Sequence, residues 1–317
     1  MRKRELGRSG LKIAPLMFGG NVFGWTVDRT RAFALLDAFV DAGFDAIDTA
    51  DVYSRWVEGN SGGESETIIG EWIKARGLRA RVIVATKCGH DMGPSGKGLS
   101  KAHIQKSVEG SLKRLQTDYI DLYQAHRDDP ETPLGETLET FAGLISEGKV
   151  RAIGASNYSA VRLREALQTS RKLGLPRYET LQPEYNLYSR QAFESELQPL
   201  CVEEGIGVIP YYALASGFLS GKYRSEADFS KSLRGPRMKK YLDARGLRIL
   251  AALDELAAEH KATPASVALA WLMAQPALVA PIASATTIDQ VVEFSAAVRL
   301  NLSADALARL DRASRPD

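Results

Sequence analysis

Four titratable side chains occupy similar places in this sequence, at or just after the end of a short apolar run. Asp48 closes the run FDAID, and Lys87 closes VIVATK. His126 closes YIDLYQAH, and Tyr53 follows Asp48 in the next loop. Each residue taken singly also fits a packing or surface role. Together, an acid, an ammonium, an imidazole and a phenol in equivalent positions predict one site for proton transfer.

The chemistry expected of this group follows from the proton affinity of tyrosine. A free tyrosine has a pKa of about 10 and exchanges protons slowly near neutral pH. A lysine cation within about 4–6 Å favours the phenolate, so we expect Lys87 to lower the pKa of Tyr53. Asp48 would keep Lys87 charged, and His126 would orient a substrate oxygen. These residues suit proton donation to a carbonyl, but a hydride-donating cofactor must supply the electrons.

The elements that must position this group are short apolar runs alternating with stretches of helical periodicity. This alternation predicts parallel strands joined by crossover helices. Eight such units in 317 residues predict a (β/α)8 barrel, whose active site forms at the C-terminal ends of the strands. An open doubly wound sheet is disfavoured because GGNVFG lacks the GxGxxG spacing. The eight runs are residues 16–19, 44–48, 82–86, 119–124, 150–156, 180–182, 207–212 and 279–284.

Two segments lie outside this repeat. The opening RELGRSGLKIAP predicts two short strands around a Ser9-Gly10 turn, a hairpin that closes the bottom of the barrel. Residues 221–245 carry eight Lys or Arg against three Asp or Glu, and such a long connection is usually functional or disordered. No stretch reads as an interdomain linker, so we expect residues 1–317 to form a single domain.

Composition excludes several classes of function. The 41 Lys and Arg nearly balance the 39 Asp and Glu, which argues against nucleic acid or an anionic membrane as partner. Cys88 and Cys201 show no metal-ligand spacing, so we expect neither a disulfide framework nor a metal site. The chain has no apolar run long enough for a secretory signal or a membrane span, and we expect it to be cytoplasmic.

Several motifs together resemble the aldo-keto reductase family over about residues 3–312. The resemblance implies that Tyr53 is the general acid/base, that Lys87 and Asp48 tune it, and that His126 orients the carbonyl. It also implies a nicotinamide cofactor bound in extended form across the barrel top, as in bacterial NADP-dependent oxidoreductases of this type. The matching stretches are LGRSGLKIAPLMFGG, DTADVYS, ATKCG, DYIDLYQAH, GKVRAIGASN and QPEYNLYSR.

The resemblance further implies which residues bind the nicotinamide. Ser156, Asn157 and Gln182 would hydrogen-bond its carboxamide, and Tyr211 would stack on its ring. Read without the resemblance, Asn157 is a turn residue and Tyr211 a core aromatic.

The pyrophosphate and adenosine ends are implied by two later segments. Leu214, Gly217 and Lys222, in YYALASGFLSGKY, match the segment that wraps the pyrophosphate. After the last strand the family pattern resembles PIxGxxxxxQxxEN, whereas this chain reads PIASATTIDQVVEF. Gln290 and Glu293 still match the adenosine contacts.

The same segment bears on the choice of nucleotide. Ser284 replaces a glycine, and Thr286 and Thr287 stand where a basic residue often pairs with the extra phosphate of NADP. Hydroxyls hydrogen-bond a phosphate but cannot offset its charge. We therefore expect NADP(H), with NAD(H) as the alternative. Thr287 and Gln290 also fit a T-x-x-Q capping box.

The substrate is less clearly encoded. Phe23, Trp25 and Trp56 are candidates to wall an apolar pocket for a small aldehyde or ketone, though each also fits a packing role. We interpret the chain as a carbonyl reductase that uses NADPH, or alternatively NADH. A nicotinamide-binding regulatory subunit with little turnover is a second hypothesis, because channel-associated relatives can keep the four residues. A barrel aldolase with Lys87 as Schiff-base lysine is a third.

Overall fold

A computed structural model describes residues 1–316 and contains eight parallel strands in one curved sheet. Neighbours pair in the order β10-β3-β4-β5-β6-β7-β8-β9. The two ends of this sheet meet, because Val279 donates to Val208 O at 2.8 Å and Ile282 donates to Pro210 O at 2.9 Å. The (β/α)8 barrel predicted from the apolar runs is therefore confirmed. The strands are β1 Arg4–Glu5, β2 Lys12–Ile13, β3 Met17–Gly19, β4 Ala46–Asp48, β5 Ile83–Cys88, β6 Ile120–Ala125, β7 Val150–Ser156, β8 Thr180–Gln182, β9 Gly207–Val208 and β10 Ile282–Ala283.

Helices surround the sheet, and most of them begin after a Ser, Thr or Asp whose side chain caps the first turn. The hydroxyl of Ser100 accepts from His103 N at the start of α3, as the sequence predicts, and Ile104 and Val108 on this helix face the core. None of the helices within residues 1–316 is long and apolar enough to cross a membrane. The helices are α1 Arg29–Asp41, α2 Glu64–Arg76, α3 Lys101–Leu115, α4 Leu134–Ser146, α5 Ala160–Leu173, α6 Gln191–Glu194, α7 Leu197–Glu204, α8 Ala244–His260, α9 Pro264–Met273, α10 Ile288–Arg299 and α11 Ala304–Ser314.

The N-terminal hairpin is also confirmed. β1 and β2 pair antiparallel, with Arg4 opposite Ile13. Leu6, Leu11 and Ile13 are buried in the same apolar cluster as strand residues from inside the barrel, among them Met17. The hairpin therefore closes the end of the barrel opposite to the C-terminal ends of the strands.

The basic segment after β9, residues 221–245, has a defined local structure. It forms short 3₁₀ turns over Glu226–Lys231 and Gly235–Tyr241. The carboxylate of Asp228 accepts from Arg224 N at 2.7 Å and from Ser225 N at 3.0 Å, which starts the first turn. Met238 and Tyr241 are buried and anchor the second turn.

Helix α2 packs closely against the C-terminal end of α3, and a substitution at Gly70 tests this contact. A Cβ built on Gly70 would lie 2.3 Å from Arg114 O and 2.7 Å from Leu115 Cα. Gly70→Ala is therefore expected to reduce the free energy of unfolding by about 1–3 kcal/mol, because backbone atoms must shift.

Urea unfolding measures this change, and Gly143→Ala is the matched control. Gly143 also lies within a helix, but a Cβ there meets no atom within 4 Å. That substitution should stabilise the protein by about 0.5–1 kcal/mol, because alanine is the better helix former. Equal effects of the two substitutions would contradict the packing argument.

Candidate active site

A cleft of about 860 Å³ opens at the C-terminal ends of the barrel strands. Asp48, Ser156 and Gln182 are the last residues of β4, β7 and β8, and His126 directly follows β6. All four line the cleft. Because parallel strands end on the same side of the sheet, residues far apart in the sequence converge here.

The predicted acid–base residues form one hydrogen-bonded group. The ammonium of Lys87 donates to Asp48 Oδ2 at 2.8 Å and to the Tyr53 hydroxyl at 3.0 Å. The Tyr53 hydroxyl in turn donates to Asp48 Oδ2 at 3.2 Å. The structure therefore brings the phenol, the ammonium and the carboxylate within hydrogen-bond distance of one another.

Lys87 is enclosed by its partners. Its side chain has no exposed surface, and its third donated bond goes to Thr49 O at 2.7 Å. An ammonium that donates three bonds has no donor left over. Schiff-base formation would need a free amine at the cleft surface, so this arrangement does not favour the aldolase hypothesis.

The pKa of Tyr53 differs in direction from the sequence expectation. Burial raises it well above its ordinary value, and the charge of Asp48 raises it further. The expected lowering by Lys87 does not prevail in the protein without ligand, because the loss of solvation disfavours the phenolate. Burial also lowers the pKa of Lys87, against the opposing effect of Asp48. Tyr53 consequently holds its proton at neutral pH, as a proton donor must.

His126 faces Tyr53 across the cleft. Their ring centroids lie 6.0 Å apart, and the rings are inclined by 75°. Burial lowers the pKa of His126 well below its ordinary value, and the charge of Lys87 lowers it further. The imidazole is therefore neutral at pH 7. Its buried Nδ1 has no hydrogen-bond partner within residues 1–316.

The residues expected to bind nicotinamide form a second hydrogen-bonded chain next to the first. Gln182 donates through Nε2 to Asp48 Oδ1 at 2.9 Å, and the Ser156 hydroxyl donates to Gln182 O at 2.8 Å. Asn157 Nδ2 donates to Ser156 Oγ at 3.1 Å, and the Tyr211 hydroxyl donates to Asn157 Oδ1 at 2.9 Å. Asn157 is also a turn residue, with a φ of 56°. Tyr211 lines the cleft rather than the core.

The segment expected to wrap the pyrophosphate has an unusual backbone. Leu214, Gly217 and Lys222 all line the cleft. Ser216 and Gly217 have φ values of 58° and 102°. A Cβ built on Gly217 would lie 3.7 Å from Lys222 Nζ, so a side chain there would occupy space beside the ammonium. The glycine therefore keeps a cradle open in front of this cation.

Of the residues expected at the adenosine end, all but Thr287 line the cleft, and several hydrogen-bond to neighbouring side chains. Ser284 donates to Asn21 Oδ1 at 2.7 Å. Gln290 N donates to Thr287 Oγ1, which caps α10. Gln290 Oε1 accepts from Thr286 N at 2.7 Å. In a capping box it would accept from the backbone N–H of the N-cap residue Thr287, so the contact is displaced by one residue. The remaining cleft residue of this set is Glu293.

Comparison with known proteins identifies the family of this chain. Residues 15–315 match the model of the Aldo/keto reductase family. The chain belongs to the aldo/keto reductase family. Members of this family generally use NAD(P)H and act on small carbonyl compounds.

Three relatives illustrate the range of the family. The chain is 36% identical to the "Uncharacterized oxidoreductase YrpG" of Bacillus subtilis, over 98% of this chain and 95% of that protein. It is 37% identical to a "Probable voltage-gated potassium channel subunit beta" of Oryza sativa subsp. japonica, over 92% and 90%. It is 31% identical to "Protein tas" of Escherichia coli, over 98% and 97%.

The expected aromatic wall of this aldo/keto reductase is only partly present. Trp25 and Trp56 line the cleft, with ring centroids 5.7 Å apart. Phe23 does not, because its side chain is buried and stacks on Phe18 at 5.3 Å. The prediction that Phe23 walls the pocket is therefore wrong. Arg234, from the basic segment, lies over the Trp25 ring at 4.9 Å instead.

Sequence reasoning missed other residues that line the cleft of this aldo/keto reductase. His90 lies beside His126, with ring centroids 5.2 Å apart. Arg31, in the first turn of α1, also lines a smaller pocket of about 330 Å³ together with Thr287 and Ile288. The pairing of β10 with β3 was the one signal that could have found Arg31, since it places the loops after these strands side by side. The other missed residues include Asn21, Thr26, Tyr212 and Leu233.

Proposed function

We propose that this chain reduces aldehydes or ketones to alcohols in the cytoplasm, with NADPH as the preferred cofactor and NADH as the alternative. The observation that carries the proposal is the group formed by Tyr53, Lys87 and Asp48 at the wall of a long cleft. A neutral phenol next to a buried cation suits one task in particular, proton transfer to an oxygen on which negative charge develops.

The roles of the side chains follow from their contacts. Tyr53 donates its proton to the carbonyl oxygen, and the Lys87 ammonium, 3.0 Å from the hydroxyl, stabilises the phenolate that forms. Asp48 holds Lys87 in place and keeps it charged. A neutral His126 donates a hydrogen bond to the same carbonyl oxygen and directs it toward Tyr53. When bound, the nicotinamide supplies the hydride.

The cleft suits a nicotinamide dinucleotide in size and chemistry. Its volume of about 860 Å³ lies within the range of small-molecule sites. Ser156, Asn157 and Gln182 present the amide and hydroxyl groups that a carboxamide needs, next to Asp48 and Tyr53. The cradle in front of Lys222 would hold the pyrophosphate. Gln290 and Glu293 would contact the adenosine.

Arg31 supports the preference for NADPH. Thr286 and Thr287 supply hydroxyls but no charge where the family often has a basic residue. Arg31 lies next to this segment, and its guanidinium has no ion pair or hydrogen bond within residues 1–316. An unpaired arginine at the adenosine end would offset the charge of the extra phosphate.

Arg31→Ala is therefore expected to weaken NADPH binding by at least about tenfold, and NADH binding by less than about threefold, since a charge-assisted bond is lost only with NADPH. Quenching of tryptophan fluorescence by each nucleotide measures both affinities, because Trp25 and Trp56 line the cleft. Arg29→Ala is the control, because Arg29 bonds to Glu71 outside the cleft. Equal weakening of the two nucleotides would remove Arg31 from this role.

The proposed function itself is tested by titrating the protein with NADPH and with NADH, and then adding a panel of aldehydes and ketones. We expect binding of at least one nucleotide and its oxidation only when a carbonyl compound is present. If neither nucleotide binds, the changes after β10 have disabled the site, and the reductase proposal is wrong.

A second candidate function is a nicotinamide-binding regulatory subunit with little turnover. The names of the relatives from Oryza sativa subsp. japonica and from Arabidopsis thaliana, both "Probable voltage-gated potassium channel subunit beta", favour considering it. Tight nucleotide binding without turnover on any carbonyl compound would support this candidate over the reductase. Turnover on several carbonyl compounds would favour the reductase.

A further inference from the structure

Two further buried carboxyl groups, those of Asp51 and Glu66, lie near the catalytic residues and have no part in the steps described so far. Asp51 lies three positions after Asp48, and the Asp51 side chain is almost completely buried. The Asp51 backbone N–H donates to Lys87 O at 3.3 Å, which ties it to the strand that carries the catalytic lysine. The side-chain oxygen Oδ1 of Asp51 is buried without a hydrogen-bond partner within residues 1–316.

The charges around Asp51 come from four elements. Glu66 on α2 is fully buried and accepts from Arg114 Nε at 2.7 Å, with Arg114 on α3. Lys87 on β5 pairs with Asp48 on β4. Three buried carboxyl groups, those of Asp48, Asp51 and Glu66, thus lie in one region with two cations, the buried Lys87 and the partly exposed Arg114. The region is electrically neutral only when one carboxyl group is protonated.

Asp51 is the carboxyl group best suited to hold this proton. Asp48 and Glu66 each face a cation directly, at 2.8 and 2.7 Å. Among the described residues 1–316, Asp51 has no ion pair at this distance, and an ionised oxygen buried without a partner is costly. Burial and the charge of Glu66 raise the pKa of Asp51 to about 8, against the opposing charges of Arg114 and Lys87.

We propose that Asp51 is a positioning residue that carries a proton at neutral pH, and that the loss of this proton slows carbonyl reduction in mildly alkaline solution. The proposal rests on the reductase function proposed above. Ionised Asp51 adds a negative charge beside Lys87, and this charge opposes the stabilisation that Lys87 gives to the phenolate of Tyr53. Asp51 acts through Lys87 and does not touch the substrate.

Most other titratable groups near Asp51 keep their charge through this pH range. Cys88 and Tyr123 face it from β5 and β6, and burial raises the pKa of both. Burial lowers the pKa of His126 and raises that of Tyr53, so neither changes charge near pH 8. Lys87 is the remaining candidate, because burial lowers its pKa.

Variants at Asp51 and Glu66 separate Asp51 from Lys87 as the titrating group. In the wild type, kcat/KM for carbonyl reduction should fall at least about threefold between about pH 7 and 9. Asp51→Asn keeps the shape of the protonated acid without its titration, so this fall should disappear. If Lys87 titrates instead, removing the Asp51 charge moves the fall to lower pH or leaves it in place, and either result would overturn the proposal.

Glu66→Gln provides a second test, which can still be made if the Asp51→Asn variant does not fold. Removing the charge of Glu66 lowers the pKa of Asp51, since Glu66 is the main charge that raises it. The fall in kcat/KM should therefore shift to lower pH by at least about half a unit. A purely structural role for Glu66 would change the rate without this shift, and an unshifted profile would count against the proposal.

The stability of the protein without nucleotide tests whether Asp51 is protonated in the folded state, independently of turnover. A carboxyl group whose pKa is raised by folding stabilises the protein at low pH, and this stabilisation is lost as the pH rises toward about 8. The unfolding equilibrium constant of the wild type should thus rise relative to that of Asp51→Asn, by up to about tenfold per pH unit between about pH 5 and 8.

Asp45→Asn is the matched control for both measurements. Asp45 is buried and lies directly before β4, whereas Asp51 lies after the other end of this strand. Asp45 pairs with Lys3. This variant should keep the pH dependence of the wild type. Parallel stability profiles of the wild type and Asp51→Asn would overturn the proposal, even with an active enzyme. Absence of turnover by the wild type would instead refute the reductase function, while the stability profile would still report on the proton.

Discussion

Tyr53→Phe is expected to slow carbonyl-dependent oxidation of NADPH by about 10²–10⁴-fold, the range that a positioned general acid contributes. The substitution removes only the hydroxyl that receives a hydrogen bond from Lys87 at 3.0 Å. The residues proposed to bind the cofactor are left in place, so the affinity for NADPH should change by less than about threefold. Steady-state kinetics and fluorescence titration measure these two quantities.

Tyr188→Phe is the matched control for this substitution. The Tyr188 hydroxyl donates to Asp243 Oδ2 at 2.7 Å, and Tyr188 does not line the cleft. The control should therefore keep turnover close to that of the wild type. A Tyr53→Phe variant with wild-type turnover would show that another group donates the proton, and the proposed mechanism would have to be abandoned.

The pKa of Tyr53 is expected to shape the pH dependence of the reverse reaction, alcohol oxidation. Because burial holds this pKa well above its ordinary value, the protonated donor persists at neutral and mildly alkaline pH. The reverse reaction, oxidation of an alcohol, requires the phenolate. Its rate should therefore continue to rise with pH where reduction falls, and a decline of alcohol oxidation above about pH 9 would contradict this assignment.

Sequence patterns predict the barrel and the placement of the proposed catalytic residues, because both depend on where strands end. Asp48 was expected at the end of a strand, and it is the last residue of β4. His126 directly follows β6, and Lys87 is the penultimate residue of β5, with a fully buried side chain. A polar residue that closes a buried apolar run must lie at the barrel mouth, whatever the details of side-chain packing. The three-way contact of Lys87, Asp48 and Tyr53 follows from this placement.

The properties that sequence reasoning could not supply depend on packing between distant segments. Phe23 and Trp25 are both large aromatic residues, but Phe23 stacks on Phe18 in the core whereas Trp25 lines the cleft. The direction of the Tyr53 pKa depends on burial, whereas the sequence argument considered only the nearby cation. Arg31 approaches Thr287 because β10 pairs with β3, and no local pattern distinguishes it from other arginines on helix surfaces.

Lys87→Met is expected to have the largest combined effect on activity and stability. Turnover should fall by at least about a hundredfold, because the phenolate of Tyr53 loses its cation. The free energy of unfolding should fall by about 3–5 kcal/mol, the cost of leaving a buried charge without its partner. The stranded charge is that of Asp48, whose side chain is 2% exposed. Urea unfolding and steady-state kinetics give the two values.

The double variant Asp48→Asn/Lys87→Met separates the electrostatic role of Lys87 from its packing role. Asparagine keeps an oxygen to accept the bond from Gln182 Nε2, which lies 2.9 Å from Asp48 Oδ1, but it carries no charge. The double variant should therefore regain most of the stability lost in Lys87→Met and none of the turnover. If the second substitution restores no stability, the loss comes from packing around the longer side chain. In that case the ion pair between Lys87 and Asp48 does not account for the loss of stability. The proposal that Asp48 keeps Lys87 charged for catalysis would then be rejected.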